Sequence, residues 1–166
     1  MDNVMFQRAA DDSDLVAIAN LADEIWHQHF QAILSPEQID YMVEKFQSYP
    51  ALKSQVEEEG YEYYQTLVDG TLAGYIGIHP ETDALFLSKL YLHKNYRGRH
   101  IATQAFHFLI DLCKKRGLKK IWLTCNKHND SSLAVYHHLG FQVTDTQEAD
   151  IGNGFIMDDY IMTYVI

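Results

Sequence analysis

Two stretches of this 166-residue chain combine residue types and spacings that can do chemistry. The first is Leu87-Ser88-Lys89-Leu90-Tyr91-Leu92-His93-Lys94-Asn95-Tyr96-Arg97-Gly98-Arg99-His100-Ile101-Ala102, which reads as a strand, a basic turn and a helix start. Backbone N–H groups at a helix N-terminus have no intrahelical partner and carry partial positive charge, so such a turn can hold a diphosphate. Gly98 lets the backbone approach closely, and Arg97 and Arg99 add long cationic donors. The second stretch runs from Asn126 to Phe141. A strand ends in Asn126, Asn129 starts a helix, and Tyr136 stands just ahead of Gly140-Phe141. Asn129 also suits a plain N-cap, and Tyr136 beside Val135 and Leu139 also suits a packed aromatic. The nine histidines raise a metal site as a further option. His27 and His29 would not share a helix face, however, and neither HExxH nor a CxxC pair occurs, so no metal is expected. Cys113 and Cys125 fall on apolar faces and read as core thiols rather than nucleophiles.

The elements that must position these residues are legible from periodicity. Val4 to Arg8 reads as a first strand, and the acids from Asp11 to Asp14 offer caps for a helix carrying Leu15, Ile18, Ala22, Ile25, Trp26 and Phe30 on one face. Ser35-Pro36 opens a second helix with Ile39, Met42, Val43 and Phe46 inward. Pro50 is expected to break it, and a third, acidic helical stretch runs to Gly60. Strands follow at Tyr61–Val68 and Leu72–Ile78, joined by the hairpin pair Asp69-Gly70, and at Asp83–His93. Arg99–Arg116 is an amphipathic helix stopped by Gly117. A strand at Lys119–Asn126, a helix at Ser131–Leu139 and two strands separated by Gly152–Gly154 complete the chain, the last strand being Phe155–Ile166. No repeat or linker interrupts residues 1–166, so one domain of mixed α/β class is expected.

Charge is divided along the chain. Residues 1–86 hold sixteen acids against three bases, residues 87–128 hold ten bases against one acid, and the rest carry six acids and no base. A basic block in a chain of net charge -10 suggests a local anion site. The acidic surroundings would repel a long polyphosphate, so a small ligand with a few phosphates is expected and a nucleic-acid partner is not. Lys114, Lys115 and Arg116 equally suit the C-terminal dipole of a helix with no ligand at all. With 47% hydrophobic residues, no long apolar run, no basic leader and two unpaired cysteines, the chain reads as a soluble cytoplasmic protein without a membrane partner.

Together, Leu90–Thr103 and Asn129–Phe141 resemble the GNAT superfamily of acetyl-CoA-dependent N-acetyltransferases. The element order is similar over nearly the whole chain, and Met157-Asp158-Asp159-Tyr160-Ile161-Met162 is weakly similar to the last strand of bacterial spermidine/spermine acetyltransferases. The resemblance implies a central twisted mixed sheet of about seven strands with helices on both faces. The family's pyrophosphate motif, Arg/Gln-x-x-Gly-x-Gly/Ala, falls on Arg97, His100 and Ala102, with histidine replacing the first glycine. Carried over, the acetyl-CoA site comprises Leu90, Tyr91, Leu92, Arg97, Gly98, Arg99, His100, Ile101, Ala102, Thr103, Asn126 and Asn129. The fourth and fifth strands would splay, Leu90 and Leu92 would pair with the pantetheine arm, and an N–H near Leu92 would face the thioester oxygen. Tyr136 would be the general acid that protonates the departing thiolate, since a phenol with an ordinary pKa near 10 holds its proton at neutral pH.

The acceptor amine also needs a base, and Phe86–Leu92 contains no carboxylate where some relatives place a glutamate. Candidates on the acceptor side are Glu24, His27 and His29 around Trp26, and Asp158 or Asp159. The acidic N-terminal half suggests a cationic acceptor such as a polyamine, an aminoglycoside or a peptide amine, so the acetyl group would pass to a primary amine of a small molecule or peptide. A homodimer is implied by the resemblance alone. The alternative to an enzyme is a non-catalytic acyl-CoA-binding module that acts through a partner.

Overall fold

The computed structural model describes residues 3–166; the reading of the N-terminus as free of a leader begins at Met1 and Asp2, which lie outside them. Seven strands form one sheet in the order β1-β2-β3-β4-β5-β7-β6. They are β1 (Val4–Arg8), β2 (Glu62–Val68), β3 (Thr71–Pro80), β4 (Ala84–Leu92), β5 (Lys120–Asn126), β6 (Gln142–Gly152) and β7 (Phe155–Val165). Every neighbouring pair is antiparallel except β4 and β5, which run parallel. Parallel strands need a crossover, and the one between β4 and β5 is α4 (Ile101–Arg116). The mixed sheet and the seven strands match the fold class expected.

Helices cover both faces. On one, α1 (Asp12–His29) packs Ile18, Ala22, Ile25 and Trp26 with Tyr63 and Tyr75 of the sheet, joined by Ile39 of α2 (Pro36–Met42) and Leu52 of α3 (Tyr49–Glu58). On the other, Ala105, Phe106, Leu109 and Cys113 of α4 bury against Ile76, Ile78, Leu85 and Ile121, with α5 (Asp130–Leu139) alongside through Tyr136 and Leu139. Each fully buried Leu or Ile contributes roughly 1.5–3 kcal/mol of transfer free energy, which explains why the apolar stripes were legible in the sequence. The α4 C-terminus is tied to the sheet by a bidentate pair, Arg116 Nη1 and Nη2 to the Glu62 carboxylate at 2.8 and 2.9 Å. No helix among the described residues is long and apolar enough to cross a membrane.

Two local expectations are corrected. Pro50 does not break the second helix. Ser48 does, with φ -71° and ψ 159°, and its Oγ accepts the Ala51 N–H at 3.4 Å. Pro50 then sits in the first turn of α3, where its missing N–H has no intrahelical partner to lose. Between the two helices the chain widens into a π-turn at Val43–Gln47. The second correction concerns α4, which begins at Ile101 rather than Arg99. His100 is held at φ 61°, a left-handed conformation outside the helix. That is where the motif's glycine would stand, and only glycine adopts it without steric cost.

Candidate functional site

The site originates in a break in the sheet. β4 and β5 pair only from Ala84 to Phe86 against Lys120 to Trp122, and beyond that they part. On its other edge β4 takes an extra residue: Gly77 opposes Lys89 but Ile78 opposes Leu87, leaving Ser88 as a bulge. The bulge reverses which side chains face which layer. Before it, Leu85 and Leu87 point into the α4 core; after it, Leu90 packs there while Tyr91 joins the α1 side. Lys89 faces that side too, bonded to α3 and to Phe46.

The gap opens into two cavities. The first, about 520 Å³, is lined by Leu90–Leu92, by the turn residues Tyr96, Arg97, Gly98 and His100, by Ile101–Thr103 and by α5. Gly98 takes φ 78°, so the turn needs glycine for its backbone conformation rather than for space. The α4 N-terminus has no side-chain cap, which leaves its first N–H groups available to an anion. Arg97 is fixed beside the end of β4 by donating Nε and Nη2 to the Leu92 carbonyl at 3.3 and 3.2 Å. That carbonyl is therefore occupied, a restriction on the strand-like pairing expected of Leu92. Arg99 stacks its guanidinium over the Tyr96 ring at 5.3 Å and does not line the cavity. Apolar walls with an anion-binding end fit a long, mostly apolar ligand that terminates in phosphates.

The second cavity, about 350 Å³, opens on the α1–α3 side. Trp26, Phe30, Phe46, Tyr61 and Tyr91 line it, together with polar groups of Gln47, Gln55, Asn126 and Gln147. Two ionisable groups stand out in its wall. Asp159 is 8% exposed and its Oδ1 has no hydrogen-bond partner. Burial first, and then the charge of Asp158, push its carboxyl up to about 6. Lys89 is 6% exposed; its Nζ donates to the Phe46 carbonyl at 2.8 Å, to Gln55 Oε1 at 3.0 Å and to the Tyr63 hydroxyl. Gly77, opposite, has no Cβ to crowd Tyr63 and Lys89. Desolvation brings Lys89 down to about 7.

Leu90, Tyr91, Ser132 and Tyr136 belong to the walls of both cavities. Tyr136 is braced by Phe141, ring to ring at 5.7 Å, and its hydroxyl makes no hydrogen bond among the described residues. Burial, aided by neighbouring Cys125, raises this phenol well above 10, so it is protonated at neutral pH.

The remaining expected residues separate by position. Leu90 to Leu92, Arg97, Gly98, His100, Ile101, Ala102 and Thr103 meet in the first cavity. Asn126 and Asn129 line the second instead, and their oxygens are engaged: Asn126 Oδ1 accepts the His128 N–H at 2.9 Å, and Asn129 Oδ1 caps α5 through Ser132 N–H at 3.4 Å. Trp26 and Asp159 line the second cavity. His29, grouped in the sequence with the acceptor side, lines the first. Glu24 and His27 line neither. Glu24 pairs with His93 at 2.9 Å, and His27 is held by Asp40 at 2.5 Å, which raises its pKa. Asp158 forms an ion pair with Lys127 at 2.8 Å. Lys89, Gln47, Gln55 and Ser132 were not singled out from the sequence. A lysine between Leu87 and Tyr91, the one charged residue of a strand apolar but for Ser88, was the available signal. The basic block is not one patch: Lys89 is interior, Arg116 is paired with Glu62 and Lys127 with Asp158. Both cysteines are core thiols, raised by burial to about 11 at Cys113 and about 12 at Cys125.

Comparison with known proteins agrees with this architecture. The sequence profile of the Acetyltransferase (GNAT) family matches residues 15–141. The spermidine N(1)-acetyltransferase of Thermoplasma acidophilum is 26% identical over 149 residues, 87% of this chain and 90% of that protein. The crystal structure of PaiA N-acetyltransferase from Thermoplasma acidophilum in complex with coenzyme A matches with a TM-score of 0.83 at 21% identity over 99% of both chains. A GCN5-related N-acetyltransferase from Rhodopseudomonas palustris matches at 0.81 and 17% identity, over 100% of this chain and 98% of that one. At those identities the structural matches establish the fold.

Proposed function

Because the chain belongs to the acetyltransferase (GNAT) family, we propose that it acetylates a primary amine by direct attack, with acetyl-CoA in the first cavity and the acceptor in the second. It is an N-acetyltransferase, and acetyl-CoA is its cosubstrate. The observation that carries the finer reading is the position of Tyr136 in the wall common to both cavities.

Bound acetyl-CoA supplies an electrophilic thioester and a thiolate leaving group. The uncapped start of α4 and Arg97 bind the diphosphate, and Leu90 to Leu92 orient the arm. Asp159 is the base. An alkyl ammonium near pKa 10 resists deprotonation in water, and a carboxylate near 6 in a dry wall narrows that gap. Tyr136 holds the proton that the departing sulfur takes. Trp26, Phe30 and Tyr91 exclude water from the reacting end. The acceptor is a small amine, and a polyamine is supported by the name of the Thermoplasma relative and by the acidic N-terminal half. Lys89 disfavours a second ammonium beside it, while Glu59, exposed in the same lining, offers a counter-charge.

The test is calorimetric titration of coenzyme A together with thiol release from acetyl-CoA over an amine panel. Micromolar binding and release with at least one amine are expected. Binding with no release on any amine would return the chain to the non-catalytic alternative.

A further inference from the structure

His29 is the last residue of α1, the helix that carries Trp26 into the acceptor cavity, yet His29 itself lines the cofactor cavity. Its ring is wedged by aromatics, in edge contacts with Phe30 at 4.7 Å and Tyr91 at 6.4 Å. Its Nε2 is shielded from solvent and has no hydrogen-bond partner. Burial first and the nearby Arg97 charge second lower its pKa, so the imidazole is neutral at pH 7, while a hydrogen bond between the ring and the Asn129 side chain acts in the opposite direction. Buried polar atoms are nearly always bonded, so one left open in the wall of a ligand cavity calls for a partner from the ligand.

We propose that His29 is a cofactor-binding residue whose Nε2 forms a hydrogen bond with an amide of the pantetheine arm, between the diphosphate turn and the thioester. The inference rests on the reading of the 520 Å³ cavity as the acetyl-CoA site. The arm carries secondary amides, and a neutral imidazole nitrogen either accepts their N–H or donates to their carbonyl according to its tautomer. The nucleotide end carries no such amide. His29 thus recognises the arm alone, and it makes the end of the acceptor-side helix part of the cofactor site.

The test compares two ligands on three proteins. Coenzyme A and its nucleotide end alone, adenosine 3′-phosphate 5′-diphosphate, are titrated into wild type, His29→Phe and His29→Gln. Phe keeps the ring contacts and removes the nitrogen; Gln keeps a polar end. For His29→Phe the expected result is coenzyme A bound about fivefold to tenfold more weakly, the worth of one neutral hydrogen bond, with nucleotide binding unchanged. His29→Gln recovers part of the loss, and the acetyl-CoA KM rises with kcat little altered. Equal weakening of both ligands, or no weakening of coenzyme A, overturns the proposal. If His29→Phe fails to fold, nitrogen NMR of the labelled wild-type imidazole decides: Nε2 must shift with coenzyme A and not with the nucleotide end, and the reverse refutes it. Wild type that binds no coenzyme A would instead overturn the assignment of the cavity.

Discussion

Replacing Asp159 by Asn tests the base, and both its stability and its kinetic consequences can be worked out beforehand. The carboxyl stands at about 6 in the folded chain against 3.8 when unperturbed. By the conversion of 1.36 kcal/mol per pKa unit, that difference amounts to about 3 kcal/mol. The sign follows from proton binding: between roughly pH 4 and 6 the native state holds a proton that the unfolded chain has lost, so stability falls as pH rises through about 6. Asparagine carries no such cost. Asp159→Asn is therefore expected to melt higher than wild type at pH 8, by up to about 3 kcal/mol, and to show no gain at pH 4. Activity should move the other way. With the base gone, kcat/KM at pH 8 drops by about 10²–10⁴, and the acid limb near pH 6 disappears, leaving only the rise set by free amine. Thermal melts at the two pH values and a thiol-release profile from pH 5 to 9 supply the data. A variant that keeps the limb near pH 6, or turns over within threefold of wild type at pH 8, refutes Asp159 as the base.

Tyr136→Phe is expected to lower kcat by about 10²–10⁴ with coenzyme A affinity unchanged, measured by steady-state kinetics beside calorimetry; an unaltered rate removes the phenol from the mechanism. His100→Gly relieves a residue held at φ 61° and should stabilise the chain by about 1 kcal/mol, read from denaturant melts, without weakening coenzyme A; a tenfold loss of affinity would show that the imidazole touches the ligand. Lys89, lowered to about 7, makes stability rise with pH from about 7 toward 10, because the unfolded lysine stays protonated there while the buried one does not; Lys89→Met should abolish that rise in melts across pH 7–9. For a polyamine acceptor the KM should increase with salt more steeply than for a singly charged monoamine, and a flat response argues against electrostatic capture.

Several features were readable because their causes are local. The Asp69-Gly70 hairpin forms with φ 50° and 82°, the positive values that such a turn demands. Ser35 and Asn129 cap their helices as their residue types suggest, and Gly117 ends α4. Leu90, Arg97, Gly98 and Ala102 converge on one cavity because a strand, a turn and a helix start adjoin in sequence. The misplacements have a different origin. His27 and His29 lie two residues apart on different faces of one helix, and what packs against each face, Asp40 for one and the first cavity for the other, is set by the fold. Pro50 suggests the stop that Ser48 performs, since a proline serves equally as a helix's stop or its first turn.

Residue order alone determined the layering, the capped helices, the basic glycine turn and the phenol ahead of Gly140, for each depends on neighbours within a few positions. Only tertiary structure decided which side of β4 faces the second cavity. One extra residue at Ser88 reverses the alternation, so that Lys89 and Tyr91 face α1 and α3 and Leu90 the core, and strand periodicity carries no mark of such a slip. Burial likewise set the proton affinities of Asp159, Lys89 and Tyr136, because desolvation is a property of what packs around a group and not of the group's own neighbours in the chain.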